Sequence, residues 1–232
     1  LGMLNYKTSE QSGEAHFLQH ELESINGFVI LDVGANIGNY CSLIKHKDPS
    51  YDIYAFEPHP KTYQRLVENT RTLGIRTFNI GIGATKGSLT LYDYDCNDGS
   101  EHASLHKGVI EQIHKGEAIA HEVTVVSLDE FVSQQRIEKI SLLKIDTEGH
   151  EFEVLKGAGN LLKTGKIEMI HFEFNEMNVI SRVFFKDIWD YLPNYDFYRM
   201  LPDGLVHIKN YSPISCEIFA YQNLVAKLRV AK

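Results

Sequence analysis

The run Phe28-Val29-Ile30-Leu31-Asp32-Val33, closed by Gly27 before it and Gly34 after it, constrains this chain more than any other feature. It lacks the in-out alternation of a half-solvated strand, so it reads as a strand buried on both faces of a parallel sheet. The residues that follow, Gly34-Ala35-Asn36-Ile37-Gly38-Asn39, make a glycine turn into a helix over residues 39–47, closed by Asp48-Pro49. A buried strand that turns on glycines into a helix is the opening unit of an alternating α/β fold.

The same alternation continues along the chain. Residues 51–56 read as a second strand and 60–73 as an amphipathic helix, with Pro60 in its first turn and Gly74 just past its end. A third strand is expected at 76–82, a turn at 83–87 and a returning strand at 88–94. Strands at 140–145 and 167–174 alternate with helices at 151–162 and 185–192. Closely spaced strands at 195–200, 205–209 and 217–221, with Asp203-Gly204 as a turn signal, predict an antiparallel hairpin on the sheet edge. Upstream, Phe17, Leu18, Leu22 and Ile25 fall at helical spacing, so residues 1–27 are expected to form a helical cap. At 232 residues the whole chain is expected to be a single domain.

In open sheets of this kind ligands bind beyond the carboxyl ends of the strands, where the strand order reverses. The informative residues are therefore those just after each apolar run. Asp32 lies two residues before Gly34, and the glycine spacing is G-x-x-x-G, not the G-x-G-x-x-G of dinucleotide enzymes. Gly34 allows a tight turn and close backbone approach to a ligand, and Gly38 allows the helix start to pack close to the strand. An acid beside this turn suits a ligand with a positive amino group and disfavours a pyrophosphate. The second strand ends in Phe56-Glu57-Pro58, placing Glu57 19 positions beyond Gly38. A carboxylate there can accept both hydroxyl hydrogens of a ribose. The pair of acids and the glycine turn describe a pocket for a nucleoside with a cationic amino-acid tail, which S-adenosylmethionine fits.

The sequence resembles the FkbM family of methyltransferases. The resemblance is carried by Val29 through Gly38, by Phe56-Glu57-Pro58, and by Leu143-Lys144-Ile145-Asp146-Thr147-Glu148-Gly149-His150-Glu151 continuing to Ala158. Val126-Ser127-Leu128-Asp129-Glu130-Phe131 and Phe172-Glu173-Phe174-Asn175 add to it, as do Gly13-Glu14 and Phe17-Leu18. The K-I-D-x-E-G-x-E string is far more specific than the glycine turn. The resemblance implies a Rossmann-like class I methyltransferase fold, a mostly parallel seven-stranded sheet with an antiparallel C-terminal strand and helices on both faces. It implies S-adenosylmethionine as cofactor, lined by Asp32, Gly34, Asn36, Gly38 and Glu57. It also implies transfer to a hydroxyl oxygen, often on a sugar, glycan or small metabolite.

Such a transfer needs an acceptor held in line and a base near its proton. Asp146 is expected against the cofactor's methionine portion or the acceptor, with Glu148 or His150 as the base. The competing reading makes Glu148 a cap of the helix at 151. His171 and Glu173 alternate to the same side of their strand. His171 sits well inside the apolar run and reads as a core histidine. No metal is expected: His102, His106, His114 and His121 show no paired spacing, and Cys41, Cys96 and Cys216 lie far apart. Residues 93–122 read instead as an exposed histidine-bearing helix and loop, with an acceptor-site insertion as the alternative reading.

The formal charge of −8 offers no general attraction to phosphate backbones, so the partner is expected to be a small-molecule or carbohydrate acceptor and not a nucleic acid. No apolar run approaches a membrane span. Residues 1–19 lack the pattern of a secretory signal, so a cytoplasmic location with reduced thiols is expected. Two other readings compete. A nicotinamide-dependent oxidoreductase would carry the missing dinucleotide fingerprint, and a non-catalytic nucleoside-binding module would have the cofactor pocket without an acceptor cavity.

Overall fold

A computed structural model describes residues 8–22, 27–94, 103–113, 115 and 117–229. The N-terminal segment holds short helices α1 (Ser9–Ser12) and α2 (Glu14–His16), which run into a π-helical turn over Phe17–Glu21. The first alternating half then follows as β1 (Val29–Val33), α3 (Asn39–Lys47), β2 (Asp52–Phe56), α4 (Pro60–Thr70) and β3 (Arg76–Phe78). Next come β4 (Gly81–Ile82), β5 (Gly87–Tyr94), a π-helical turn over Val109–Ile113, and β6 (Ala118–Val126). Helix α5 (Leu128–Gln135) leads to β7 (Ile140–Ile145), α6 (Glu151–Gly157), α7 (Gly159–Lys163) and β8 (Ile167–Phe174). The chain continues through α8 (Met177–Ser181), α9 (Phe185–Tyr191), β9 (Tyr195–Leu201), β10 (Gly204–Ile208), α10 (Pro213–Cys216) and β11 (Gln222–Leu228).

Local chemistry accounts for the helix boundaries. Helix α3 gathers Lys45, His46 and Lys47 in its last turn, against the negative end of its dipole. Helix α4 starts with Pro60 behind His59, whose Nδ1 accepts from the Thr62 amide. Helix α5 begins where Ser127 Oγ accepts from the Glu130 amide at 3.2 Å and ends at Arg136 in the left-handed region.

The main sheet has strand order β10-β9-β11-β8-β7-β1-β2-β3. Strands β3, β2, β1, β7 and β8 are mutually parallel, while β11 runs antiparallel between β8 and β9. This is the expected seven-stranded arrangement with an added edge strand, β10, which forms the expected hairpin with β9. The last strand begins later than residues 217–221 suggest. Glu217 caps a helix instead: its carboxylate accepts from the amides of Phe185 and Lys186 at the start of α9 and from Tyr211 Oη. The single strand expected at 76–82 divides in two. Asn79 Nδ2 donates to the carbonyls of Glu57 and Pro58 there, and β4 leaves the main sheet for a second one, β4-β6-β5.

Apolar residues pack on both faces of the main sheet. Alternate residues go to opposite sides. Leu31, Val33, Leu143 and Ile145 join one cluster with Phe131, Leu155, Phe185 and Phe197, and Ile30, Ile53 and Leu142 join another with Phe17, Leu22, Ile44 and Leu66. Among the described residues no helix is long and apolar enough to cross a membrane.

Candidate active site

Strand register sets the site. Val33 pairs with Phe56 on one side and with Ile145 on the other, and Ile145 pairs with Phe172. Gly34, Glu57, Asp146 and Glu173 therefore emerge side by side from the carboxyl ends of β1, β2, β7 and β8. All four line one cavity of about 440 Å³, together with Asn36, Glu148, His150 and Tyr221. That volume falls in the range of roughly 300–1,000 Å³ usual for small-molecule and cofactor sites. Across it stand apolar Ile80, Ile82 and Leu91, with Ala103 and Leu105 from the connection between β5 and β6.

The turn after β1 admits no side chain at its first position. Gly34 has φ of 80°, and a Cβ there would lie 1.7 Å from the Asp146 carbonyl oxygen. Its amide and that of Ala35 donate to the Phe56 carbonyl, fixing the turn against β2. Glu57 is buried, and its two carboxylate oxygens accept from the amides of Asn36 (3.0 Å) and His59 (2.8 Å). Desolvation pushes its pKa up to about 7 in spite of those amides. Gly38 stands elsewhere. It caps α3 outside the cavity lining, and a Cβ there would meet Thr70 and Leu66 of α4 at 2.7 and 2.8 Å. Its close contact is thus with a neighbouring helix and not, as expected, with the strand.

Asp32 also lies off the cavity lining, fully buried behind the turn, and its Oδ2 has no hydrogen-bond partner. Desolvation raises its pKa to about 7, and Lys144 opposes that rise. Lys144 is itself buried in β7 and pairs with Asp146 at 3.0 Å. Burial works against its charge, yet Asp146, Glu14, Glu173 and Asp32 together hold the ammonium's pKa above its ordinary value. Glu173 is pushed well up by burial and by Asp146, and it accepts from Tyr221 Oη at 2.9 Å and from Asn175 Nδ2 at 3.2 Å. His171 stays out of the cavity, held between Tyr40 Oη and Asn223 Oδ1 at 3.0 Å each, a satisfied core histidine.

The loop from β7 to α6 carries the two candidate bases. Glu148 adopts φ of 52° and Gly149 φ of 100°. Glu151, not Glu148, caps this turn: its Oε1 accepts from the Thr147 amide and hydroxyl and from the Gly149 amide at 3.0–3.1 Å. The Glu148 carbonyl accepts from Ser104 Oγ at 2.7 Å, which joins the loop to the opposite wall. His150 is buried, neither ring nitrogen has a hydrogen-bond partner, and desolvation pushes its pKa down to about 4.

Of the residues expected at the site, Gly34, Asn36, Glu57, Asp146, Glu148 and His150 share the cavity. Sequence reasoning overlooked Lys144, Tyr221 and Glu151. A lysine inside an otherwise apolar buried run was a readable signal for Lys144, since such a charge needs partners. Tyr221 gave none. The pocket suits a nucleoside with a charged amino-acid tail. Asn36 Oδ1, at the cavity lining, is a buried acceptor without a protein donor, and the carboxylates of Glu57 and Asp146 face the same space.

Comparison with known proteins agrees with this geometry. The family model described as "Methyltransferase FkbM domain" matches residues 32–198. Hexuronic acid methyltransferase AglP of Haloferax volcanii is 30% identical over 138 residues, covering 59% of this chain and 52% of that protein. The 2-O-methyltransferase NoeI of Sinorhizobium fredii is 24% identical over 188 residues, 76% of each chain. The 31-O-demethyl-FK506 methyltransferase FkbM of Streptomyces tacrolimicus is 28% identical over 166 residues, covering 61% of this chain and 63% of that protein. Among solved structures the METTL16 MTase domain superposes with a TM-score of 0.52 at 8% identity, over 94% of this chain and 68% of that one, a likeness of fold. The chain spans 52–59% of the length of three of the curated relatives it matches.

Proposed function

The chain belongs to the FkbM methyltransferase family, and from that premise we propose that it transfers a methyl group from S-adenosylmethionine to a hydroxyl of a sugar, glycan or small metabolite. The observation that carries this reading is the row of Gly34, Glu57, Asp146 and Glu173 at four adjacent strand ends around one cavity. The relative named for hexuronic acid supports a carbohydrate acceptor, and the one named a 2-O-methyltransferase supports transfer to oxygen.

Bound S-adenosylmethionine supplies a methyl group already activated on a sulfonium, so the protein's work is mainly positioning. Glu57 has lone pairs left beyond those facing the Asn36 and His59 amides, and these accept the ribose hydroxyls. Asp146 and Asp32 set a negative field for the cofactor's ammonium, moderated by Lys144. The acceptor's proton passes to Glu148 or His150. His150 remains neutral and able to accept at any pH above about 4. The cavity-lining Ala103 and Leu105 support residues 93–122 as the acceptor side, although 95–102, 114 and 116 lie outside the described residues. In this reading the whole chain works as one methyltransferase domain, with 1–27 as its N-terminal cap, of which 1–7 and 23–26 lie outside the described residues. The acidic charge favours a small or carbohydrate acceptor over a nucleic acid. The buried free thiols of Cys41 and Cys216 support a reducing, cytoplasmic location.

The test is calorimetric titration of the purified protein with S-adenosylhomocysteine, with NAD as control, followed by labelled methyl transfer onto uronic acids and other sugar alcohols. Micromolar binding of the first, none of the second, and label on an acceptor oxygen are expected. Glu57→Ala should weaken the binding at least tenfold, about 1.4 kcal/mol. A folded protein that ignores S-adenosylhomocysteine overturns the reading.

A further inference from the structure

Three side chains that the cofactor site does not use meet behind its wall. His59 caps α4 just after the Glu57 segment, Asp93 lies on β5, and His121 lies on β6. His121 pairs across the ladder with Leu91, and Asp93 is two residues further along β5. Asp93 and His121 therefore occupy the same face of the small sheet, the diagonal relation that lets side chains interact. His59 Nε2 stands 3.3 Å from Asp93 Oδ2, and the His59 and His121 rings meet edge-on with centroids 4.7 Å apart. One ligand atom from each residue lies within 4.8 Å of the other two.

We propose that His59, Asp93 and His121 form a binding site for a divalent transition metal of the zinc class, fastening the small sheet to the segment that carries Glu57. Burial is the first support. His59 and Asp93 have almost no exposure, and the Nε2 atoms of both histidines are buried without a hydrogen-bond partner. Buried polar atoms normally have partners. An ion between them would engage both nitrogens and the carboxylate at once. The outer shell is the second support. In the ion-free geometry His59 Nδ1 accepts from the Thr62 amide at 3.4 Å, so the ring proton sits on Nε2 towards Asp93. Binding an ion at Nε2 moves that proton to Nδ1, where Thr62 Oγ1, 3.2 Å away, can accept it.

The donor set chooses the ion. Two imidazole nitrogens and one carboxylate suit zinc and its neighbours, whereas magnesium and calcium take oxygens. Three protein ligands also leave a coordination position for water. Zinc–nitrogen bonds of about 2.0–2.1 Å require the three side chains to draw together from their present spacing. The three residues come from three separate elements, so the spacing of histidines along 93–122 could not reveal them. The site also touches the cavity indirectly. The His59 amide donates to Glu57 Oε1, and Leu91, opposite His121, lines the cavity. None of this depends on methyl transfer.

The experiment uses tag-free full-length protein stripped with a chelator, dialysed, and titrated with zinc by calorimetry. Cobalt(II) substitution is followed by visible absorption. One ion per chain, bound at micromolar concentration or tighter, with a rise in Tm, is expected. His121→Gln and Asp93→Asn should each weaken binding at least tenfold. The double variant His16→Ala/His20→Ala removes a second histidine pair, with rings 4.4 Å apart, and should leave the binding unchanged. Absence of stoichiometric binding in the wild-type protein overturns the site. So does undiminished binding in His121→Gln and Asp93→Asn, or loss in the His16/His20 variant, which would move the metal to the N-terminal segment.

Discussion

Gly34 is the residue with least freedom in the candidate site. Its left-handed φ of 80° disfavours any L side chain, and a Cβ would overlap the Asp146 carbonyl oxygen. Gly34→Ala must therefore part β1 from β7 where cofactor-binding groups converge. Loss of S-adenosylhomocysteine binding by at least tenfold is expected, with a lowered Tm. Unchanged affinity would show that the turn does not approach the ligand. Glu57 gives a second prediction at this scale. Its pKa of about 7 means that the free protein holds it partly protonated near neutrality. Ribose hydroxyls need the ionised form, so affinity should fall as pH drops from 8 to 6, with close to one proton taken up per complex lost. In Glu57→Gln that pH dependence should shrink to the part carried by Asp32, along with most of the affinity. Calorimetry in two buffers of different ionisation enthalpy measures it.

Between β7 and α6 one carboxylate organises an entire loop. Glu151 Oε1 gathers the Thr147 amide and hydroxyl and the Gly149 amide, holding Glu148 in a conformation with φ of 52°. Glu151 is a positioning residue in this scheme. Glu151→Ala should lower kcat tenfold or more through Glu148 and His150 while the affinity for S-adenosylhomocysteine changes less than threefold. Equal losses in both would assign Glu151 a general structural role. Elements such as this differ in how far the chain announces them. Strands β7 and β8 and helix α3 were legible to the residue, because continuous apolar runs and a closing Asp48-Pro49 leave little choice. Strand β6 was not. Only Val123 and Val125 of its nine residues are well buried, and the other seven mix apolar Ala118, Ile119, Ala120 and Val126 with His121, Glu122 and Thr124 at partial or full exposure, so no clean alternation marks it. The helix expected at 151–162 divides at Ala158, with φ of −104° and ψ of 14°, a local choice made by packing. The line Gly34-Glu57-Asp146 was readable because each residue ends an apolar run. The network of Lys144, Glu173 and Tyr221 depends on which strands are neighbours, and β11 is inserted between β8 and β9 by tertiary packing that no local pattern encodes.

The molecule as a whole buries more carboxyl groups than its site can keep ionised without a ligand. Asp32, Glu57 and Glu151 all rise to about 7, chiefly through desolvation. For an acid whose folded pKa is raised, the favourable contribution is complete below the unfolded value near 4 and is lost as pH climbs through 7. His150, lowered to about 4 by desolvation, acts in the opposite sense: its contribution is present above 6.5 and is lost as pH falls towards 4. His59 and His106 are lowered as well and share that direction. Above about pH 7 these three histidines are largely neutral in both states, so among the described residues the raised carboxyl groups dominate the slope there. Below it the two families oppose one another and the curve flattens. The ligand-free protein should accordingly show a Tm that falls between pH 6.5 and 8.5 and changes little from 6.5 to 5.5. Glu57→Gln should make the upper slope shallower, and saturating S-adenosylhomocysteine, which favours ionised Glu57, should do the same. Differential scanning calorimetry across that range measures all three curves. A Tm that rises with pH above 6.5 would mean that the buried acids are already ionised and paired in the free protein.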